Sequence, residues 1–394
     1  MVIISISSGV SADIVSNVKF DGGNTSGYIN SKQLIHRKTI DGHIFYDKRT
    51  GVIHNEIPSE YRCDDTQILN MPTFESTAPL KVYFDPTYLC NLKCRHCITR
   101  SSPNADTKNE LTLEQIKNIF NQLARVGVLE IAITGGEPFC HPGIFSIIKY
   151  AQDAGFNTTI STNGTLITTE VAKKLAELEV FETRVSFEGA QIVNDNIRGH
   201  GVYKKALKGI ETLSRADAKP VARLTLSRDS ENDLGQFYYD LYQAGVTKLK
   251  VAVVKNAGNA SNPENKDLFG YVSDDEKGRY LQELGTKYEI EVELSSEDFH
   301  INPKDAKDRK LRHAICKNCG AGFETGYISP QGKLLPCSTM PHIVFGNLSE
   351  ESFNDAWGSD IASTYRNLAT NCNEIQLCKV EDIISNFESS AKLL

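Results

Sequence analysis

From residue 79 onward the chain alternates short β-branched runs with longer amphipathic stretches, and this alternation limits its fold more than any other feature. A βα repeat of this kind predicts a parallel sheet with helices packed outside it. Six units are fewer than the eight of a full barrel, so we expect an α/β fold with a partial, open (β/α)6 barrel. The strand candidates are residues 81–85, 129–134, 157–162, 183–187, 220–227 and 248–254.

The first helix is clearly marked. Thr112 and Gln115 have the spacing of a capping box, and Gly127 supplies a stop signal. Apolar residues between them recur at helical spacing, at Ile116, Ile119, Phe120 and Leu123. Because the working face of a βα barrel is the carboxyl end of its strands, polar motifs at those ends are candidates for the functional site.

Composition narrows the classes of function. The chain has 394 residues and a net charge of -7, which argues against nucleic acid as a main partner. The amino-terminal stretch has no Lys or Arg ahead of its apolar run, and no run of about 18 apolar residues occurs. We therefore expect a cytoplasmic protein without a membrane partner.

Three regions differ in character. Residues 1–78 are polar and turn-rich, with strand-like pieces on either side of residues 47–51, and predict a small β-rich region that could contact a peptide or partner. Residues 79–310 contain the barrel units, and residues 311–394 form a cysteine-bearing region. Within that last region, residues 326–337 read as a hairpin whose turn contains Gly332.

The ten cysteines point to metal rather than to disulfides, since a reducing cytosol keeps thiols free. Eight of them fall into two groups separated by more than two hundred residues, which predicts two metal sites. Cys63 and Cys140 belong to neither group and read as incidental small apolar residues.

The first group is Cys90, Cys94 and Cys97, directly after the first barrel strand. A zinc site would need a fourth ligand, for which adjacent His96 could serve. Three thiolates fit better as ligands to three irons of a cubane cluster with its fourth iron open. This Cys-x3-Cys-x2-Cys loop resembles the signature of the radical S-adenosylmethionine (radical SAM) enzymes. The resemblance implies a 4Fe-4S cluster that cleaves bound SAM to a 5'-deoxyadenosyl radical, which abstracts hydrogen from the substrate.

Further motifs resemble the SAM-binding elements of that superfamily, in the same order on the same strands. The resemblance implies that the second strand end binds the methionyl amino group, and that the third and fourth bind the ribose and carboxylate. Residues 256–260 resemble the loop near adenine, and Glu188 is the candidate catalytic acid or base. The implied cofactor-binding residues are Gly135, Gly136, Glu137, Ser161, Thr162, Asn163, Ser186 and Arg198.

The second cysteine group resembles the SPASM/Twitch carboxyl-terminal domain of the superfamily, which holds auxiliary iron-sulfur clusters. Cysteines of the full SPASM pattern are missing at Ala369 and Asp382, which implies one auxiliary 4Fe-4S cluster rather than two. Its implied ligands are Cys319, Cys337, Cys372 and Cys378, with Cys316 as the rival for one place. Structural zinc is the alternative, although these separations are long for a zinc ribbon.

Relatives of this kind mostly modify ribosomally made peptides, by crosslinking, epimerisation or residue excision. The resemblance therefore implies a precursor-peptide substrate, a reductant such as flavodoxin or ferredoxin, and a separate leader-recognition protein. Two alternatives stay open: a small-molecule dehydrogenase or epimerase, and a non-catalytic iron-sulfur or zinc scaffold.

Overall fold

The computed structural model describes residues 34–39, 42–54, 73–75, 78–270, 274–295 and 320–371. Its strands, in chain order, are β1 (Leu34–Thr39), β2 (Gly42–Asp47), β3 (Val52–His54), β4 (Thr73–Glu75), β5 (Lys81–Phe84), β6 (Glu130–Ile133), β7 (Asn157–Thr162), β8 (Glu182–Phe187), β9 (Pro220–Leu226), β10 (Lys248–Val253), β11 (Glu291–Leu294), β12 (Thr325–Ile328), β13 (Lys333–Leu335) and β14 (Gly346–Asn347). Its α-helices are α1 (Leu113–Arg125), α2 (Ile144–Asp153), α3 (Thr169–Glu177), α4 (Gln191–Arg198), α5 (Val202–Arg215), α6 (Leu234–Gln243), α7 (Asp275–Lys287), α8 (Phe353–Trp357) and α9 (Asp360–Asn371). Short 3-10 helices occur at Pro138–Cys140, Gly258–Ser261 and Pro263–Leu268.

Strands β5 to β14 form one sheet, in the order β11-β10-β9-β8-β7-β6-β5-β12-β13-β14. The seven strands from β5 to β11 run parallel, each joined in register to its neighbour. All six predicted barrel strands are present, with ends within one residue of those expected. The predicted partial barrel is confirmed, and β11 extends its open edge by one more strand.

Helix α1 shows why the apolar stretches pack outside the sheet. The Thr112 and Gln115 capping box is present, and the predicted apolar face of the helix is buried. Phe120 on that face packs edge-on against Phe84 of β5, with ring centroids 5.2 Å apart. Burial of such side chains contributes roughly 1.5–3 kcal/mol each. The hydrophobic core therefore lies between the helices and the outer face of the sheet.

Charged side chains fill the amino-terminal half of the barrel interior, since alternate strand residues point inward. Lys81 pairs with Glu130 at 2.6 Å, and Glu182 pairs with Arg184 at 2.7 Å and with Lys250 at 3.0 Å. Burial alone would raise the pKa of Glu182, but Arg184 and Lys250 lower it to about 2. This network closes the barrel floor with matched charges.

The amino-terminal strands form a separate four-stranded sheet, in the order β3-β2-β1-β4, as the β-rich character of the region predicted. Its β2–β3 turn docks on the amino-terminal side of the barrel. Lys48 Nζ donates to the Gly155 carbonyl at 2.7 Å, and Asn157 Nδ2 donates to Tyr46 Oη at 2.8 Å. The described part of this sheet therefore contacts the barrel end opposite the carboxyl ends of the strands.

The carboxyl-terminal strands continue the barrel sheet. Strand β12 pairs in parallel with β5, so that Tyr327 lies beside Tyr83, and the predicted β12–β13 hairpin turns at Gly332 with a φ of 82°. The Tyr327 hydroxyl donates to the buried carboxylate of Asp85 at the end of β5. Residues 320–371 are thus built directly onto the barrel edge. None of the described helices is long and apolar enough to span a membrane.

Candidate active site at the carboxyl ends of the barrel strands

The loop after β5 carries the three clustered cysteines. Cys90 and Cys94 are buried, with 8% and 9% of their surface exposed, and Cys97 is half-buried. The loop after β10 holds this segment from the other side: Asn259 donates its backbone N–H to the Cys97 carbonyl at 2.8 Å and its side-chain amide to the Cys94 carbonyl at 3.1 Å. Gly258 permits that contact, because a Cβ there would lie 2.3 Å from the Cys97 carbonyl oxygen.

The three thiols form one electrostatic unit. Burial raises the pKa of Cys90 to about 12 and that of Cys94 to about 11, and the neighbouring thiolates add to each rise. Arg198 opposes the rise at Cys94. Buried thiolates of this kind need positive charge, which bound iron supplies, so the donor set fits an iron-sulfur cluster. Within the described ranges, no three Cys, His, Asp or Glu side chains are close enough together to hold a single metal ion.

The glycine pair after β6 is required by the cysteine loop itself. A Cβ at Gly135 would lie 2.6 Å from the Thr87 carbonyl oxygen, and one at Gly136 would lie 2.3 Å from that of Leu89. Gly136 and Glu137 donate their backbone N–H groups to the same two carbonyls, each at 2.9 Å. Sequence reasoning assigned these glycines to ligand approach; the structure shows that close backbone packing against the loop already requires them.

Glu137 ties β6 to β7. Its fully buried carboxylate accepts hydrogen bonds from the Thr162 hydroxyl at 2.7 Å and from the Asn163 N–H at 2.8 Å. Burial raises the pKa of Glu137 to about 7, although these hydrogen bonds act to lower it. Asn163 in turn donates to the Asn91 side chain at 2.8 Å and lies 3.9 Å from the Cys90 sulfur. These three predicted residues therefore meet and reach the cysteine loop.

Ser161 and Ser186 lie next to the last residues of β7 and β8, on the interior face of the sheet. Both are half-buried, and their hydroxyls have no hydrogen-bond partner in the part of the chain that the structure describes. Two free hydroxyls beside the cysteine loop fit a ligand that carries hydroxyl and carboxylate groups, as SAM does.

His96 and Arg198 form a triad with the fully buried carboxylate of Glu188. Glu188 Oε1 accepts hydrogen bonds from His96 Nε2 at 2.8 Å and from Arg198 Nε and Nη2 at 2.8 and 2.6 Å. Burial alone would raise the pKa of Glu188, but His96 and Arg198 hold it below its usual value. Glu188 Oε2, His96 Nδ1 and Asn194 Nδ2 are buried and lack a partner among the described residues. These unsatisfied atoms fit a bound polar ligand.

Sequence reasoning missed His96 as a partner of Glu188. Its only sequence signal is its place between two cysteines of the motif, because the contact spans 92 residues. It also left Cys140 unplaced, and the structure puts Cys140 beside the cysteine loop. Burial and nearby Glu137 raise the pKa of Cys140, and the Asn91 backbone amide opposes that rise.

The second cysteine group is described only in part. Cys337 follows β13 and is half-buried, with the Thr339 hydroxyl 3.3 Å from its sulfur. The other four cysteines of the carboxyl-terminal region lie outside the described residues, namely Cys316, Cys319, Cys372 and Cys378. Cys63 also lies outside them.

Comparison with known proteins decides the family. The model of the Radical SAM superfamily matches residues 84–237, which span the site from β5 to α6. Mycofactocin maturase MftC of Mycolicibacterium smegmatis is 31% identical over 71% of this chain and 70% of its own length. The chain belongs to the radical SAM superfamily. The SPASM model, an iron-sulfur cluster-binding domain, matches residues 319–380 of this radical SAM protein.

Other relatives of this radical SAM enzyme differ in their named products. AdoMet-dependent heme synthase of Methanosarcina barkeri is 28% identical over 74% of the chain and 85% of its own length. The fold is similar to that of SuiB of Streptococcus suis bound to S-adenosylmethionine, with a TM-score of 0.68 and 15% sequence identity. The matched region includes 91% of this chain and 94% of the SuiB chain. The predicted superfamily, partial barrel, enzyme class and cofactors, namely SAM and 4Fe-4S clusters, are confirmed.

Proposed function

We propose that this radical SAM enzyme modifies a ribosomally synthesised peptide by hydrogen abstraction, forming a crosslink, an epimerised residue or an excised fragment. The likeness to MftC, which is named as a maturase, carries the proposal. A second relative adds support: AlbA of Bacillus subtilis, named for biosynthesis of the bacteriocin subtilosin, is 30% identical over 73% of this chain and 61% of its own length.

We assign the radical cluster to Cys90, Cys94 and Cys97. When bound, the cluster and SAM supply a carbon radical that abstracts hydrogen from unactivated carbon. The protein holds these reactants in place, because the loop that carries the thiols is fixed by backbone contacts to Gly136 and Asn259. A site of this kind must also exclude water and competing reactions. The burial of Cys90 and Cys94 supports that role.

For SAM itself we assign direct contacts to the backbone at Gly135 and Gly136, to the hydroxyls of Ser161 and Ser186, and to Arg198. Glu137, Thr162 and Asn163 then act as positioning residues, since their polar groups already bond one another. Glu188 was the candidate acid or base. Its low pKa and its pairing with His96 and Arg198 support a positioning role instead, with one free oxygen for a ligand hydroxyl.

For the carboxyl-terminal region we propose one auxiliary 4Fe-4S cluster on the cysteines predicted above, Cys319, Cys337, Cys372 and Cys378, with Cys316 as the alternative. We also propose the three-part division at residues 78 and 310. Residues 1–78 would bind the leader of the precursor by pairing a strand edge with an extended peptide, with or without a separate recognition protein. A flavodoxin or ferredoxin would supply electrons in the cytoplasm.

A small molecule, changed by a dehydrogenase or epimerase reaction, is the second candidate substrate. It is favoured by the likeness to AdoMet-dependent heme synthase and to Fe-coproporphyrin III synthase of Methanosarcina barkeri, which is 30% identical over 70% of this chain and 73% of its own length. Heme and coproporphyrin are tetrapyrroles, and mass spectrometry distinguishes a modified tetrapyrrole from a modified peptide.

The test begins with anaerobic reconstitution and iron counting, on the wild type and on a Cys90, Cys94, Cys97 triple alanine variant. We expect about eight irons per chain, falling to about four in the variant, with formation of 5'-deoxyadenosine lost. The wild type is then incubated with candidate precursor peptides or with coproporphyrin, and mass spectrometry follows each. A mass change only in the porphyrin would overturn the peptide proposal. Bound zinc without SAM cleavage would overturn both.

A further inference from the structure

Arg223 lies inside the barrel at the middle of β9. Its register neighbours are Ser186 on β8 and Lys250 on β10. The residues on either side of it, Ala222 and Leu224, are fully buried in the core beneath the helices. Because successive strand residues point to opposite faces, Arg223 projects into the barrel interior.

Among the described residues, Arg223 differs from the other interior cations in having no paired anion. Within the described ranges it makes no hydrogen bond or ion pair. The other cations each face a carboxylate: Lys81 faces Glu130, Arg184 faces Glu182, Arg198 faces Glu188, and Lys250 faces Glu182 and Glu293. Arg223 is half-buried, and a half-buried guanidinium without an acceptor among the described residues leaves its N–H donors available to a ligand.

The guanidinium of Arg223 lies between the barrel floor and the mouth. Burial lowers its pKa, and the charges of Arg184 below it and of Arg198 above it act in the same direction. Tyr83 on β5, across the sheet, and Glu188 at the mouth are also near enough for their charges to act on it. A group bound to Arg223 would therefore lie directly beneath the triad and the cysteine loop.

We propose that Arg223 binds a carboxylate of the substrate: an Asp or Glu side chain, or a chain-terminal carboxylate, close in sequence to the residue that is modified. The inference rests on the proposed peptide function and names the class of peptide. A guanidinium matches a carboxylate with two parallel N–H donors, which fixes orientation as well as position. Arg223 has no counterion within hydrogen-bond distance in the part of the chain that the structure describes, so its charge is available to an anionic ligand.

The test is a binding selection with the iron- and SAM-loaded enzyme against a displayed library of random short peptides. Four proteins are compared: wild type, Arg223→Gln, Arg223→Glu and the control Arg228→Gln. Arg228 is an exposed arginine just beyond β9 that donates to the Phe269 carbonyl at 2.8 Å. We expect the wild type and the control to enrich peptides rich in Asp and Glu. The enrichment should be about tenfold lower with Arg223→Gln. Arg223→Glu should instead enrich peptides rich in Lys and Arg.

Two further readouts separate the explanations. Arg223→Gln should leave the SAM dissociation constant unchanged. It should not lower the midpoint of urea unfolding either, since it removes a half-buried charge that has no partner among the described residues. Unchanged acidic enrichment in Arg223→Gln would overturn the inference. So would SAM binding weakened about tenfold, because the carboxylate would then be that of SAM. If the wild type cleaves SAM yet retains no peptide, the proposed peptide function itself fails.

Discussion

At the scale of single residues, the site depends on buried charges that are matched in small groups. Glu188 balances Arg198 and orients His96, and all three lie beside the cysteine loop. Arg198 can bind a ligand well only if its guanidinium stays charged and fixed in position. The Glu188 carboxylate stabilises the charge and holds the guanidinium in place. The same reasoning singles out Arg223, which has no paired anion among the described residues and for which we propose a ligand carboxylate.

Glu188→Gln should strongly destabilise the protein. The change leaves Arg198, whose side chain is only 9% exposed, without a counter-charge. Breaking one side of a buried ion pair costs about 3–5 kcal/mol. Urea unfolding of the cluster-free protein measures the loss. Glu211→Gln is the matched control, since Glu211 pairs with Lys208 on the surface and should contribute less than about 1 kcal/mol. Equal losses for the two variants would contradict this account.

Asp85 should make stability depend on pH. Burial raises its pKa to about 7, despite hydrogen bonds from Thr134 and Tyr327. Because this folded-state pKa lies above that of the unfolded chain, the stabilisation is complete below about pH 4 and is lost as the pH rises to about 7. The free energy of urea unfolding of the wild type, relative to that of Asp85→Asn, should therefore be higher at pH 5 than at pH 8. A pH-independent difference would show that Asp85 is not the titrating group.

At the scale of elements, the cysteine loop is shaped by the strand ends around it. The turn after β6 and the loop after β10 both press backbone against it, through Gly136 and Gly258. Each contact leaves no room for a side chain. The geometry of the cysteine loop is therefore a product of backbone packing between elements, and not only of the cysteine spacing.

Gly136→Ala should displace the loop and lower iron retention. Its Cβ would meet the Leu89 carbonyl oxygen at 2.3 Å, a backbone atom that cannot rotate away. We expect roughly half of the iron to be lost after reconstitution, since one of two clusters is affected. Gly235→Ala in α6 is the control, because no atom lies within 4 Å of its added Cβ. Full iron content in both variants would refute the packing argument.

At the scale of the whole molecule, the barrel and residues 320–371 share one sheet. Strand β12 pairs with β5, and the Phe353 N–H donates to Gln122 of α1 at 2.7 Å. Trp357 is the only tryptophan of the chain and is buried in this carboxyl-terminal part. Its fluorescence therefore reports on that part, whereas far-UV circular dichroism reports mainly on the barrel helices.

The two signals should give the same midpoint of urea unfolding, because strands in one sheet lose their pairing together. Measuring both on the same cluster-free sample tests this. Tyr327→Phe, which removes the hydrogen bond to Asp85, should lower both midpoints equally. Separate midpoints in the wild type would mean that residues 320–371 unfold as an independent unit.

Much of this architecture could be predicted from local patterns. The strands from β5 to β10 follow from runs of β-branched residues, and α1 follows from its cap and apolar spacing, since both depend on neighbours within a few residues. Contacts between distant residues could not be predicted in this way. Tyr327 reaches Asp85 across 242 residues, and no local pattern predicts β12 as the neighbour of β5.

The amino-acid sequence by itself indicated the superfamily, through the spacing of three cysteines and the order of the motifs that follow, and the partial barrel, through the alternation of β-branched and amphipathic runs. Both signals depend on residues that are close in sequence, whereas the assignment of Cys90, Cys94 and Cys97 to the radical cluster stays a prediction. Only the tertiary structure decided which charges meet. It joined His96 to Glu188 and made Gly136 a contact of the cysteine loop, and within the described residues it left Arg223 without a paired anion. The physical reason is that pairing, burial and steric exclusion depend on distances through space, which sequence separation does not specify.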